Sequence, residues 1–275
     1  MLAGVTVLCV LLLFSVFLYQ KEEFSGINAP SDGSDGAEYD SAKESQTAKP
    51  QDTREPAEIE PAEEKENTDY IYTYLQGPKS WKRGIDWSGE WGDSYMDGGY
   101  FGGFGCGLCC VANIYSTLTD YQCSPVDAYR YAKKHTGYCG GTAIAWGYMR
   151  RTLTSQGFDC HVANKPVSYE EFETDVSNSL CSIVLVSSSA SKVYWKDTPG
   201  HYVTIFAYDA QKQKIFLADS GDPNHNRQWV SLKKIYKSLK MESSWQYLVV
   251  ERYQKKKDSW RHKKTTGTWN PPAYL

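Results

Sequence analysis

Three side chains, far apart in the chain, have the types needed for nucleophilic acyl transfer: Cys106, His201 and Asp219. Cys106 lies in Gly103-Phe104-Gly105-Cys106-Gly107-Leu108-Cys109-Cys110, directly ahead of the apolar run Val111-Ala112-Asn113-Ile114-Tyr115-Ser116-Thr117-Leu118. Glycines on both sides of a cysteine, where a loop gives way to a helix-length apolar run, place the sulfur at a helix N-terminus. There the backbone N–H groups without helical acceptors and the helix dipole favour the thiolate, which is the reactive form. The plainer reading, a buried small hydrophobe, leaves close backbone approach on both sides unexplained.

A nucleophilic cysteine needs a base, and the base needs a partner that fixes its tautomer. Of the five histidines only His201 opens an apolar strand, in Thr198-Pro199-Gly200-His201-Tyr202-Val203, where the preceding glycine leaves room for the sulfur or for a substrate. The next apolar run ends at Asp219, in Ala218-Asp219-Ser220-Gly221. If residues 201–208 and 214–218 pair as a hairpin, His201 and Asp219 stand at the same end of a sheet. Adjacent strands are about 5 Å apart, so the carboxylate then reaches the imidazole.

The elements that must hold these residues follow from period and punctuation. Ser124-Pro125-Val126-Asp127 supplies an N-cap, a proline at the first helical position and an acid in the first turn, which predicts a helix to about His135 stopped by Gly137. Thr142 is read as the cap of a further amphipathic helix to about Gln156, and Ser168-Tyr169-Glu170-Glu171 as a capping box opening a fourth. The second half changes period. Residues 181–186, 201–208, 214–218 and 245–250 are short, β-branched and aromatic runs separated by turns. Helices first and an antiparallel sheet second make an α+β domain, with the N-terminal helices packed on the C-terminal sheet.

The flanks differ in composition. Residues 2–19 are apolar almost throughout, about the length of a bilayer-spanning helix, and lack the basic start and small-x-small site of a cleaved signal peptide. They read as a transmembrane anchor, residues 1–20, that places the chain as a single-pass membrane protein with its domain outside the cytoplasm. Residues 21–69 carry 15 acidic and 5 basic side chains and hardly any apolar residue larger than alanine, the composition of a disordered tether. Aromatic residues return near Tyr70, so residues 70–252 read as the folded domain and 253–275 as a basic tail that could touch an anionic surface. The net charge of −3 thus combines an acidic spacer with a mildly basic domain.

Other chemistries find little support. Cys106-x-x-Cys109 is half of a zinc spacing with no second pair to complete it, so no metal or other cofactor is expected. The glycine-rich residues 98–107 are not followed by the Lys-Ser/Thr of a phosphate loop, and no nucleic-acid module is visible. Cys109 and Cys110 read as core. Cys123, Cys139, Cys160 and Cys181 could pair as disulfides in an oxidising compartment.

The order of these features resembles the double-glycine-peptidase-like cysteine peptidases, the bacteriocin-processing group with a papain-like fold: a Trp-rich entry, Gly105-Cys106-Gly107 at a helix start, a Ser-Pro-x-Asp helix, Gly200-His201 at a strand start, and Asp219 after the next strand. The resemblance covers about residues 80–250. It implies a papain-like fold, a peptide or protein substrate, and peptide-bond cleavage through a thioester, with Cys106 as nucleophile, His201 as base and then acid, and Asp219 as its orienting partner. That family usually has a glutamine upstream of the cysteine, a few residues before a tryptophan, which donates to the oxyanion. By the spacing to Trp91 this position falls on Asp86, or on Glu90 in another alignment, and a carboxylate donates only when protonated. Leu108 stands where the family often has proline. These departures leave room for a catalytically impaired peptide-binding module, and the same chemistry would also serve a cell-wall amidase.

Overall fold

The computed structural model describes residues 67–77, 90–188 and 194–266. The apolar run at residues 2–19, nearly all of the acidic segment, Asp86 and residues 267–275 lie outside them. Among the described residues no helix is long and apolar enough to cross a membrane.

A 3-10 turn (Glu90–Asp93) leads into a small hairpin of β1 (Tyr95–Met96) and β2 (Gly99–Tyr100). Asp97 and Gly98 turn it with φ of 48° and 89°, the left-handed pair that two-residue hairpins favour. One turn of helix, α1 (Phe101–Phe104), precedes α2 (Cys106–Leu118). The third helix, α3 (Pro125–Thr136), is closed at both ends as its sequence dictates. The Ser124 hydroxyl accepts from the Asp127 N–H at 3.2 Å, the Asp127 carboxylate accepts from the Ser124 N–H at 2.9 Å, and Gly137 leaves the helix at φ 82°.

The fourth helix, α4 (Trp146–Ser155), starts later than Thr142, and Ala145 occupies its N-cap without a side-chain bond. The chain cannot turn helical sooner because Gly140 and Gly141, at φ 89° and 70°, seat it against the β1–β2 turn. A Cβ on Gly141 would lie 2.0 Å from the Asp97 carbonyl oxygen. The Tyr138 hydroxyl then holds the Thr142 carbonyl.

The main sheet has six strands: β3 (Phe158–Ala163), β4 (Cys181–Val186), β5 (His201–Asp209), β6 (Lys214–Ala218), β7 (Gln228–Ser231) and β8 (Tyr247–Tyr253). They lie in the order β3-β8-β4-β5-β6-β7, and every pair is antiparallel. Two more helices, α5 (Tyr169–Ser177) and α6 (Leu232–Ser238), flank these strands in sequence, and the Ser168 hydroxyl caps α5 by accepting from the Glu171 N–H at 3.1 Å.

Alternation along the central strands builds two cores. Ile183, Leu185, Tyr202 and Phe206 face the core that contains α2, whereas Val184, Val186, Val203 and Ile205 face the one that contains α5 and α6. The α+β class and the antiparallel sheet are therefore present, with helices on both faces of the sheet rather than one. The edge strands β3 and β7, and α6, have no counterpart among the elements read from sequence. Edge strands are only partly buried, so their alternation is weak: β3 alone has one buried residue in six.

Two terminal segments are tied onto this body. Residues 71–76 form a strap. The Tyr72 and Tyr74 N–H groups donate to Thr117 Oγ1 (2.9 Å) and Asn113 Oδ1 (2.8 Å) on α2. On the strap's other side Gln76 N–H donates to the Ser220 carbonyl at 2.8 Å, and Asn226 Nδ2 to the Thr73 carbonyl at 3.0 Å. At the other end Trp260 stacks on Tyr131 (4.5 Å) and His262 (4.6 Å), and the Thr266 N–H donates to Asp127 Oδ2 at 2.8 Å. The folded body thus continues past residue 252, because Asp258 and Trp260 dock the first part of the basic segment on α2 and α3.

Asn113 is fully buried and supplies a backbone donor with its acceptor. Asn113→Ala leaves the Tyr74 N–H unsatisfied, and urea unfolding should show a loss of about 1–3 kcal/mol.

Candidate active site

The nucleophile's position is set by backbone packing around two glycines. Gly105 is the N-cap of α2, and its carbonyl accepts from both the Leu108 N–H (3.0 Å) and the Cys109 N–H (2.9 Å). A Cβ on Gly105 would lie 2.3 Å from the Phe101 ring, and one on Gly107 would lie 2.6 Å from Ile144 Cγ2 and 3.3 Å from the Tyr202 ring. Only glycine lets α2 seat this deeply, and it brings Cys106, 7% exposed, to the sheet beside the first residues of β5.

His201 is the first residue of β5 and pairs with Val186 at the end of β4. Asp219 follows β6 directly, and its side chain has no exposure. The register Thr204↔Ala218 puts the two at the same end of the sheet. His201 Nε2 donates to Asp219 Oδ1 at 2.8 Å. That leaves Nδ1 for the Cys106 sulfur, which lies near enough to the imidazole for each group to shift the other's titration. The three residues named from sequence are thus brought together in one chain of contacts: thiol, imidazole, carboxylate.

Asp219 is held from several sides. Besides His201, Oδ1 accepts from the Gly221 N–H (2.9 Å) and the Asp222 N–H (3.2 Å), while Oδ2 accepts from Trp195 Nε1 at 2.7 Å and has His225 Nδ1 at 3.4 Å. Burial alone would raise its pKa. The charge of His201 and these hydrogen bonds outweigh burial and hold the carboxyl well below the usual carboxylate range.

The same balance sets the other two groups. Burial disfavours the imidazolium, but the Asp219 charge and hydrogen bond more than reverse this and raise His201 above the ordinary histidine value. Burial also pushes the Cys106 thiol up. The hydrogen bond and charge of His201, with the backbone N–H groups of Tyr202 and Gly107, bring it below an ordinary thiol. Cys109 and Cys110 have no such partner, and burial drives both well upward.

Other expectations resolve differently. Asp86 lies outside the described residues, and Glu90 opens the 3-10 turn at the entry. Gly200 was expected to leave space for sulfur or substrate. Instead the Lys240 side chain fills it, with Nζ 3.0 Å from the position of a Gly200 Cβ and 2.7 Å from the Pro199 carbonyl. The glycine that admits the imidazole is Gly221, where a Cβ would lie 2.9 Å from His201 Cε1 and 3.0 Å from Nε2.

Sequence reasoning also missed Trp195 and Gln76. Gln76 Nε2 donates to the Gly102 carbonyl at 3.0 Å, just ahead of the nucleophile, and Oε1 accepts from the Ser220 hydroxyl at 2.8 Å, just past Asp219. No local pattern marks it; the only signal was the return of aromatic residues around it. The seven described cysteines are free thiols. Among the described residues no group of His, Cys, Asp and Glu is arranged to hold a metal ion.

Gly221→Ala should displace the imidazole while leaving all three reacting groups in the chain. A misplacement of about 1 Å costs roughly a hundredfold in rate, so turnover should fall by about that factor and alkylation of Cys106 should slow with it. Unchanged alkylation kinetics would show that the loop absorbs the methyl group.

A family model described as phytochelatin synthase matches residues 142–245, a stretch that contains His201 and Asp219 and leaves out Cys106. No curated protein matches the chain. Similar solved structures include the peptidase domain of Streptococcus ComA, a bifunctional ABC transporter involved in quorum sensing, at 12% identity and a TM-score of 0.38, covering 53% of this chain and 89% of that one. Another is a Bacillus anthracis protein described as a C39-like peptidase, at 13% identity and a TM-score of 0.34, covering 55% of this chain and 90% of that one. The family match therefore falls on phytochelatin synthase rather than on the double-glycine peptidases that the sequence motifs resemble.

Proposed function

We propose that this chain is a cysteine peptidase-type acyl-transfer enzyme of papain-like fold, in which Cys106 attacks a peptide carbonyl and His201 and Asp219 manage the proton. The observation that supports it most is the buried contact chain from Cys106 through His201 to Asp219 at the N-terminus of α2. The thiolate adds to the carbonyl carbon. The imidazolium gives its proton to the leaving amine, and a thioester remains on Cys106. The neutral imidazole then takes a proton from the incoming acceptor as the thioester is discharged.

That acceptor can be water, which gives hydrolysis, or an amine, which gives transpeptidation. The matched family is named for a synthesis, so both products belong in any assay. The Cys106 and Gly107 N–H groups precede any acceptor within α2, which suits them to stabilise the tetrahedral oxyanion in place of the missing glutamine. We further propose that residues 2–19 anchor the domain to a membrane with the site outside the cytoplasm, a reading that rests on the sequence of that segment.

The pKa directions define the pH profile. The reactive pair is thiolate with imidazolium, so it forms as Cys106 loses its proton, below the ordinary thiol value, and is lost as His201 loses its own, above the ordinary histidine value. Alkylation of Cys106 should therefore be rapid near neutral pH and outpace Cys109 and Cys110 by at least tenfold. His201→Ala should return the rate to that of an ordinary thiol. Cys106→Ala should abolish hydrolysis and transfer of peptide substrates; turnover surviving in that variant would sink the assignment. Fast alkylation without turnover on any peptide would instead favour the peptide-binding module.

A further inference from the structure

Two thiols stand beside the nucleophile on α2, and acyl transfer uses neither. Cys109 and Cys110 are three and four residues beyond Cys106, hence on the same helix face, and both are buried. In a regular α-helix such neighbours hold their Cβ atoms about 5–6 Å apart, whereas a disulfide needs about 3.5–4.5 Å. The first turn must therefore tighten by roughly 1–2 Å for a bond to form.

The first turn of α2 is shared between the α and 3-10 bonding patterns. The Gly105 carbonyl accepts the Leu108 N–H at 3.0 Å, an i→i+3 bond, as well as the Cys109 N–H at 2.9 Å. Bonds of the i→i+3 kind define a 3-10 turn, in which residues three apart eclipse. The i→i+3 bond seen here spans Gly105 and Leu108; carried one residue further along the turn, the same pattern would bring Cys109, rather than Cys110, over Cys106. The surroundings agree: Cys110 lies toward Thr204, on the sheet, while Cys109 lies toward Ser220 in the loop that follows Asp219. The lowered Cys106 thiol and the raised Cys109 thiol suit a nucleophilic and a resolving cysteine.

We propose that Cys106 and Cys109 form a reversible disulfide, so that the chain carries a redox latch on its own nucleophile. In the first step the Cys106 thiolate attacks the O–O bond of a hydroperoxide. The bond breaks, Cys106 becomes a sulfenic acid, and the released oxyanion takes a proton to leave as water or an alcohol. In the second step the Cys109 sulfur attacks the sulfenic sulfur, the S–O bond breaks, and the oxygen leaves as water with the proton from Cys109. Two electrons pass from the two thiols to the hydroperoxide. A small dithiol reverses the change: it becomes a disulfide and both cysteines return to thiols. While the bond is in place no thiolate is available to attack a carbonyl. A resolving thiol one turn away also intercepts the sulfenic acid before irreversible oxidation.

The inference rests on the reactive thiolate of the proposed function, and not on any substrate. The test treats the reduced full-length chain with a several-fold molar excess of hydrogen peroxide, alkylates it and weighs it intact, alongside Cys109→Ala and Cys110→Ala. Wild type and Cys110→Ala should each lose two alkylatable thiols and regain both with dithiothreitol. In Cys109→Ala, Cys106 should form no intramolecular disulfide and proceed to sulfinic acid. A wild-type chain that goes straight to sulfinic acid overturns the latch, as does a disulfide that persists in Cys109→Ala. If Cys109→Ala does not fold, the wild-type and Cys110→Ala masses still decide. Slow alkylation of Cys106 in the untreated protein overturns the thiolate and the latch together, while fast alkylation without disulfide overturns the latch alone.

Discussion

Asp219 keeps a negative charge with its side chain wholly out of solvent, and much of the architecture serves to make that tenable. An isolated buried carboxylate costs several kcal/mol, and attraction from a partner offsets this only when the remaining lone pairs are also satisfied. Here the donors come from separate parts of the chain: His201 from the start of β5, Trp195 from the segment ahead of it, and the Gly221 and Asp222 amides from the loop after β6. Stabilising the charge therefore requires the sheet register, the loop and the Trp195 segment at once. The imidazole is oriented as a result of this, with Nε2 committed to the carboxylate and Nδ1 left for sulfur.

The nucleophile belongs to a different body of structure. Cys106 is carried by α2, whereas His201 and Asp219 are carried by the sheet, and a helix can slide or tilt on a sheet unless something spans both. Residues 71–76 do so. They bond to Asn113 and Thr117 on α2 and to Ser220 and Asn226 beside Asp219, and the Gln76 side chain alone reaches from Gly102 to Ser220. The packing of Gly107 on Ile144 and Tyr202 sets how deep the helix sits, and the strap sets where along the sheet it lies.

Three cysteines on one turn of one helix show how little burial by itself decides. Cys106, Cys109 and Cys110 are all buried, yet only the first lies below the ordinary thiol value. The difference is the imidazolium within hydrogen-bonding reach of Cys106, along with two backbone N–H groups. The helix N-terminus contributes to all three, and most to the residue at its very start. Reactivity is thus a property of position within about one helical turn, and the same proximity places a second thiol where it can meet the first.

Much of the site was legible in the residues: a Gly-Cys-Gly at a helix start, a Gly-His opening a strand, an Asp closing the next, and the Ser124 cap with its Gly137 stop. Each depends on local rules, on period, capping and the conformational needs of glycine, which operate over a few residues and leave a pattern in the string. What the string could not convey was which groups complete the site. That Gly221 rather than Gly200 makes room for the imidazole, that Trp195 holds the second carboxylate oxygen, that Gln76 spans helix and loop, and that α4 waits until Trp146 to begin were decided by tertiary contacts. The hydrogen bonds of Trp195 and Gln76 join residues 24 to 144 positions apart, and such contacts depend on strand register and side-chain shape, which no local period encodes. The amino-acid sequence by itself determined the chemistry available at each position, while the fold decided which charges meet in the absence of water and so which of those chemistries is switched on.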